Sequence, residues 1–421
     1  MLSAVAARWR SLANGFWFLP GLVALGFAVV AFVLIRVDRA LGGDRLGFTF
    51  DGDAGAARGV LETVAGSLIT VAGLAFSLTV VVLVLVSGQF TPRSVPAFLA
   101  DRVNQATAGT FIGVFTYCLL VLRTVRDEDD SGAGGFVPQL SVTVAVALAV
   151  IAIALLLYFI HHLGVSIQAS SIVNRIGADT LARVEKLPHE PAAGPAEPAS
   201  PPGHVHPRRP GFVRHVALGD LADRLDDRCE HVRLRVAVGD FVSERDVLAD
   251  VWPADAAGEV EDAIRRGIAL GLERDLHQDV LYGLRQLAEI AMKGLSPGVN
   301  DPSTAESALG YLRAALERLA ERPLPPEARR GRLVAPLRSF DDLVEGAFVQ
   351  VGRYAAADAT VVVTLLDALA RVGDAARQAG RGERTAVLRA TAEDVAAPAL
   401  EDARTERDRE RIRAALARVA P

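Results

Sequence analysis

Apolar and polar positions are segregated along this chain: four long uncharged runs fill the first 165 residues, and most of the charge follows them. The runs are Phe16–Ile35, Thr63–Val86, Asn104–Leu122 and Val137–Ile160. A hydrocarbon core about 30 Å thick takes roughly 20 residues of helix to cross. Helix is required because each backbone N–H and C=O must find a partner without water. The first run is too long for the core of a cleaved signal peptide. The pattern predicts a multi-pass α-helical membrane domain of four spans, residues 1–165, joined to an α+β soluble C-terminal region.

Within the second span, Thr63, Ser67, Thr70 and Ser77 recur at helical spacing on one narrow face. Gly66 and Gly73 lie beside that face, and Val81 and Val84 continue it. Small and hydroxylated residues allow two helices to approach closely. The same stripe also suits a water-lined path narrowing to an apolar constriction. Both readings stand on the sequence. A weaker stripe in the third span, Thr107, Thr110, Gly113 and Thr116–Tyr117, fits either. No span carries an ionisable residue in its middle, which argues against a proton-coupled transporter and leaves a passive pore open.

Beyond the fourth span the chain reads as a juxtamembrane helix end and a Pro-rich linker over 166–211, with Leu187–Pro210 rich in Pro, Ala and Gly. His204 and His206 close the linker and are too few to define a metal site; His161–His162 are adjacent and point apart on a helix. A small β-rich module is predicted over 212–256, with strands at Phe212–Leu218, His231–Val238 and Val247–Trp252 and a short helix at Leu221–Asp227. The Val238-Gly-Asp-Phe-Val turn followed by Leu248-Ala-Asp-Val-Trp252 resembles the hammerhead turn of biotinyl and lipoyl domains. No lysine lies between Lys186 and Lys293, so a swinging-arm role is excluded.

Residues 257–421 read as mainly helical, with helices at Gly258–Arg274, His277–Lys293, Pro302–Ala320, Phe340–Arg353 and Asp358–Gln378, and another near the end. In Leu295-Ser-Pro-Gly-Val-Asn-Asp-Pro302, Asn300 or Asp301 is expected to cap a helix that begins with Pro302. The free amides at that start are a candidate anion site. Arg274, Asp279 and Arg285 upstream are expected either to form an ion network with Asn300 and Asp301 or to line a pocket with them. On the membrane side, Gln89, Arg93, Asn104 and Gln105 around the second loop are candidates for a conduit mouth or a docking site.

Composition narrows the function. The net charge of −5 does not suit a nucleic-acid partner. Two cysteines, Cys118 and Cys229, make no disulfide framework. GxSxG, HExxH, P-loop and zinc-ligand spacings are absent, so no enzyme, cofactor or metal is expected. Cationic residues flanking the spans divide almost equally between the two sides, so the positive-inside rule scarcely decides orientation. Both termini are placed in the cytosol because the C-terminal region carries no export signature.

Three segments carry a family resemblance: Gly66-Ser-Leu-Ile-Thr-Val-Ala-Gly-Leu-Ala-Phe-Ser77; Ser87-Gly-Gln-Phe-Thr-Pro-Arg93 with Asp101-Arg-Val-Asn-Gln105; and Leu295-Ser-Pro-Gly-Val-Asn-Asp-Pro-Ser-Thr-Ala305. Together they resemble a family of predicted bacterial membrane proteins, the domain of unknown function 2254. The resemblance implies a bacterial inner-membrane protein and brings no reaction. The expected function is an oligomeric ion channel or pore, lined by Thr63, Ser67, Thr70, Ser77, Val81 and Val84 and gated by the soluble region. The alternative is a membrane-anchored scaffold or sensor whose soluble domain binds a small anion or a protein. The lipid bilayer and further copies of the chain are the expected partners.

Overall fold

A computed structural model describes residues 17–41, 49–89, 101–126, 135–166, 168–188, 196–226 and 228–419, with side chains of the second span described to Leu85. The chain divides into two units at Gln168/Ala169.

The first unit holds four helices long and apolar enough to cross a membrane: α1 (Phe18–Leu41), α2 (Ala54–Gln89), α3 (Arg102–Leu122) and α4 (Gln139–Ser166). Helix α2 begins nine residues before its uncharged run, because the Asp53 carboxylate accepts from the Ala56 amide at 2.7 Å and starts the helix there. Helix α3 is the centre, touching α1, α2 and α4. Half of its apolar window is buried, against 17–22% for the other three. A Cβ on Gly113 would come within 2.4 Å of Phe27 and one on Gly109 within 2.8 Å of the Pro20 backbone. Gly109 and Gly113 of the third span therefore serve close packing against α1.

Two aspartates stitch this unit at opposite ends of α4. Asp38, in the last turns of α1, is buried and accepts from the Leu140 amide at 2.9 Å, the Ser141 amide at 3.0 Å and the Ser141 hydroxyl at 2.5 Å. It thus caps α4 from another helix, satisfying amides that have no partner within α4. At the far end, Asp101 caps α3 through the Val103 amide at 2.8 Å and lies 3.0 Å from His162 Nε2. His162 is thereby a structural partner, and its neighbour His161 has no share in that contact.

The second unit begins with α5 (Ala169–Val184), which packs on α8 (Val280–Gly294) and α9 (Pro302–Glu321). Gly177 and Gly283 permit those crossings: a Cβ at either would overlap Tyr311 or Thr180. A five-stranded sheet runs β1 (Gly203–Val205), β5 (Ala249–Trp252), β3 (His231–Leu234), β8 (Leu333–Pro336), β7 (Glu327–Arg330). All its pairs are antiparallel except β3–β8. A three-stranded sheet runs β4 (Phe241–Val242), β2 (Gly211–Val216), β6 (Ile268–Gly271). The two sheets, α6 (Leu218–Ala222) and α7 (Ala257–Gly267) share one core centred on Val213, Leu221, Val232, Leu248, Val251 and Ile264. The helical part continues through α10 (Phe340–Val344), a π turn at Glu345–Val349 and α11 (Gln350–Ala355), then α12 (Ala359–Gln378), α13 (Thr385–Asp402) and α14 (Glu406–Arg418).

Several elements differ from the sequence expectation. The end of the Pro-rich stretch forms β1, at the sheet edge, with His204 Nδ1 2.7 Å from Asp250 and His206 Nδ1 2.9 Å from the Asp246 carbonyl oxygen. The helix expected to run to Arg274 stops at Gly267, where Leu221 packs so closely that a Cβ would sit 3.1 Å from it, and Ile268–Gly271 turns into β6. The hairpin β7–β8 is built on Gly331 at φ +61°. His231, buried in β3 and edge-on to Trp252, is held below the usual histidine range by burial and then by Arg233 and Arg329.

Candidate functional site

Helix α2 buries one face and exposes another. Ala54, Ala57, Leu61, Ala65, Leu68, Ala75 and Val82 face the other spans. Thr63, Ser67, Thr70, Ser77, Val81 and Val84 are all exposed on the single chain. Among the described residues, an added Cβ at Gly59, Gly66 or Gly73 would meet nothing within 4 Å. These glycines repeat every seven residues, each followed four residues later by Thr63, Thr70 or Ser77. The threonine hydroxyls donate to the carbonyl oxygens one turn back, Thr63 to Gly59 at 2.7 Å and Thr70 to Gly66 at 2.9 Å. Their donors are satisfied within the helix while their oxygens keep accepting capacity. Among the described residues, the close packing that the sequence offered as one reading of this stripe is not made.

Of the second-loop candidates, the Gln89 side chain and Arg93 lie outside the described residues. Asn104 and Gln105, in the first turn of α3, are buried inside the membrane unit. Among the described residues the side-chain amide of Asn104 and the Thr107 hydroxyl, one turn apart, have no hydrogen-bond partner.

In the second unit, Asp279 caps α8 through the Tyr282 amide at 3.0 Å and is almost wholly buried. Arg274 grips its Oδ2 with two N–H groups, at 2.8 and 2.6 Å. Burial pushes the Asp279 carboxyl up from the ordinary carboxylate range, against the pull of Arg274, the Tyr282 amide and Arg338. Gly239 makes room for the pair: it has φ +92°, and a Cβ there would lie 2.4 Å from Asp279 Oδ2 and 2.7 Å from Arg274 Nη2. Asp240, next in the turn, accepts from the Ala237 amide at 2.8 Å and from Arg338. Gln278 clamps β2 through both the amide and the carbonyl of Val216. Val216, Gln278, Asp279 and Arg338 border a cavity of about 260 Å³ between the end of α5, the β3–β4 turn, the start of α8 and β8. Gly239→Ala is expected to cost roughly 2–4 kcal/mol, from left-handed strain and overpacking together. Its cost should fall in an Asp279→Asn background, since contacting residues couple; strict additivity in denaturant melts of the full chain would refute that contact.

The structure does not bring Asn300 and Asp301 to this place. They follow the other end of α8, a helix of 15 residues and so roughly 22 Å long. Asp301, not Asn300, caps α9, accepting from the Thr304 amide at 3.1 Å, and Pro302 takes the first turn. That carboxylate occupies the helix start that the sequence offered to an anion. Asn300 instead makes the turn, at φ +48° and exposed. Arg285 is exposed, on α8 beside Gly346 of the π turn. Sequence reasoning missed Gly239 and Arg338 as neighbours of Asp279; the Gly-Asp pair at 239–240 was legible only as a turn. Among the described residues no group of three or more His, Cys, Asp or Glu is placed to hold a metal ion.

A four-span helical unit with an exposed hydroxyl stripe, followed by a mixed sheet-and-helix unit with its own cavity, defines a multi-pass membrane protein. The chain belongs to the family described as "Predicted membrane protein (DUF2254)", whose model matches residues 13–371. It is 34% identical over 392 residues to uncharacterised proteins of Mycobacterium tuberculosis and Mycobacterium bovis, covering 88% of this chain and 74% of each relative. No solved structure matches it.

Proposed function

We propose that this protein is an oligomeric ion channel or pore of the bacterial inner membrane, assembled from several copies around α2. The observation that carries the reading is the outward stripe of Thr63, Ser67, Thr70 and Ser77 with Gly59, Gly66 and Gly73 beside it, all exposed on one chain. Three glycines in one exposed helix weaken it by about 1 kcal/mol each relative to alanine and return nothing against lipid. Against a neighbouring helix they permit close approach. The hydroxyl oxygens would then stand toward a shared axis, and Val81 and Val84 would form its apolar narrowing. Both termini lie in the cytosol in this proposal, which puts the second unit where it can gate the path. The free, buried thiol of Cys229 supports a reducing compartment for the second unit.

Mass measurement of the purified protein in detergent tests the assembly. The expected mass is that of several 44.6 kDa chains, reduced to that of one chain by Gly66→Leu with Gly73→Leu. A monodisperse single chain for the unmodified protein would sink the proposal.

A further inference from the structure

The cavity beside Asp279 has an uneven chemistry. Its walls are mainly apolar, with Val236, Leu281, Leu324, Pro325, Leu337 and Leu343 among them. Its ionisable lining is Arg183, Lys186, His277, Asp279 and Arg338. The single carboxylate there is already gripped by Arg274. Arg338 spends Nη2 on Asp240 and on the Val238 carbonyl oxygen, but its buried Nε–H has no acceptor among the described residues. Arg183 and Lys186 stand at the end of α5 and just beyond it, partly and fully exposed, and among the described residues neither has a carboxylate within ion-pair distance. The hydrogen-bonding capacity left over is therefore donating and cationic, at the edge of an apolar hollow. Orphaned buried donors in native proteins call for a missing acceptor. A hollow of about 260 Å³ lies just under the usual range for drug-sized ligands, which sets the occupant's scale.

We propose that this cavity binds a small amphipathic anion, with a carboxylate or phosphate head held by Arg183, Lys186 and Arg338 and a compact apolar body among Leu281, Leu324, Leu337 and Leu343. A cation is disfavoured by three positive groups, and a purely inorganic anion leaves the apolar walls unused. The head comes from a free acid or from an anionic lipid; the chemistry is shared. Because Arg183 and Lys186 lie on and just after α5, the occupant bears on the segment that follows the fourth span in sequence. The site is independent of whether the membrane unit conducts.

Calorimetric titration tests it, on the full chain in phosphatidylcholine nanodiscs, with 4-phenylbutyrate against its neutral amide. The carboxylate should bind at least tenfold more tightly, as charge-assisted hydrogen bonds require. Arg183→Ala with Lys186→Ala, both away from the core, should erase most of that preference while the melting temperature stays unchanged. In nanodiscs containing phosphatidylglycerol, a weakened apparent affinity for phenylbutyrate assigns the head to a lipid, and an unchanged one assigns it to a free acid. Equal affinity for acid and amide, or no binding of either at millimolar concentration by folded protein, overturns the proposal.

Discussion

Asp38→Ala should destabilise the membrane unit by roughly 3 kcal/mol, which is large for one side chain. The mutation removes one carboxylate and strands three donors: the amides of Leu140 and Ser141 and the Ser141 hydroxyl. Losing a helix cap alone costs about 0.5–2 kcal/mol, and hydrogen bonds to a charged group contribute about 1.5–3 kcal/mol each. The sum is not additive, because Ser141 can turn its hydroxyl toward another acceptor, yet the amides at the start of α4 cannot move. Asp38 is only 8% exposed, so solvent gives little relief. Asp38→Asn keeps an acceptor and should lose about half as much. Thermal melts of the purified full chain read the effect as a fall of roughly 5 °C or more for alanine. An unchanged melting temperature would show that α4 starts without its cap and that the stitch between α1 and α4 carries no weight.

Asp38 also shows where sequence reasoning reaches its limit. The four spans were legible because twenty uncharged residues in a row have few other uses. The helix containing Asp38 continues past the uncharged run, and Arg36-Val-Asp-Arg39 reads from sequence as a polar exit from the membrane. Only the approach of α4 turns that aspartate inward. The α2 stripe was legible as a face but not as an outward one. Its direction is set by which alanines of the opposite face meet α3, and periodicity alone does not rank two faces of an apolar helix.

The second unit divides in the same way. Strands β2, β3 and β5 and helices α8, α9 and α12 follow alternating or helical periodicity and appear within a few residues of expectation. Strand β7 is Glu-Ala-Arg-Arg, an edge strand whose charge hides it, and β8 joins β3 in parallel from about 100 residues away in sequence. Long-range pairing leaves no local mark. The ion pair Arg274–Asp279 was legible as two polar groups near a helix start; its third neighbour, Arg338, comes from the far side of the fold. The sequence also joined Asp279 to Asp301, because both flank α8, and a rigid helix holds them apart.

The central claim is that copies of α2 line a conduit. Ser77 is its sharpest point, since it is the last exposed hydroxyl of the stripe before Val81 and Val84. A phenyl ring there leaves the buried face of Ala65, Leu68 and Ala75 untouched, so Ser77→Phe should preserve the fold while filling the path. The decisive measurement is single-channel current from purified protein in a planar bilayer. The account predicts discrete conductance steps, abolished or reduced at least tenfold by Ser77→Phe at equal protein content, since one ring closes a constriction that small residues leave open. Silence from a stable, correctly folded preparation across voltage and membrane tension would contradict it, and so would currents that Ser77→Phe leaves unchanged.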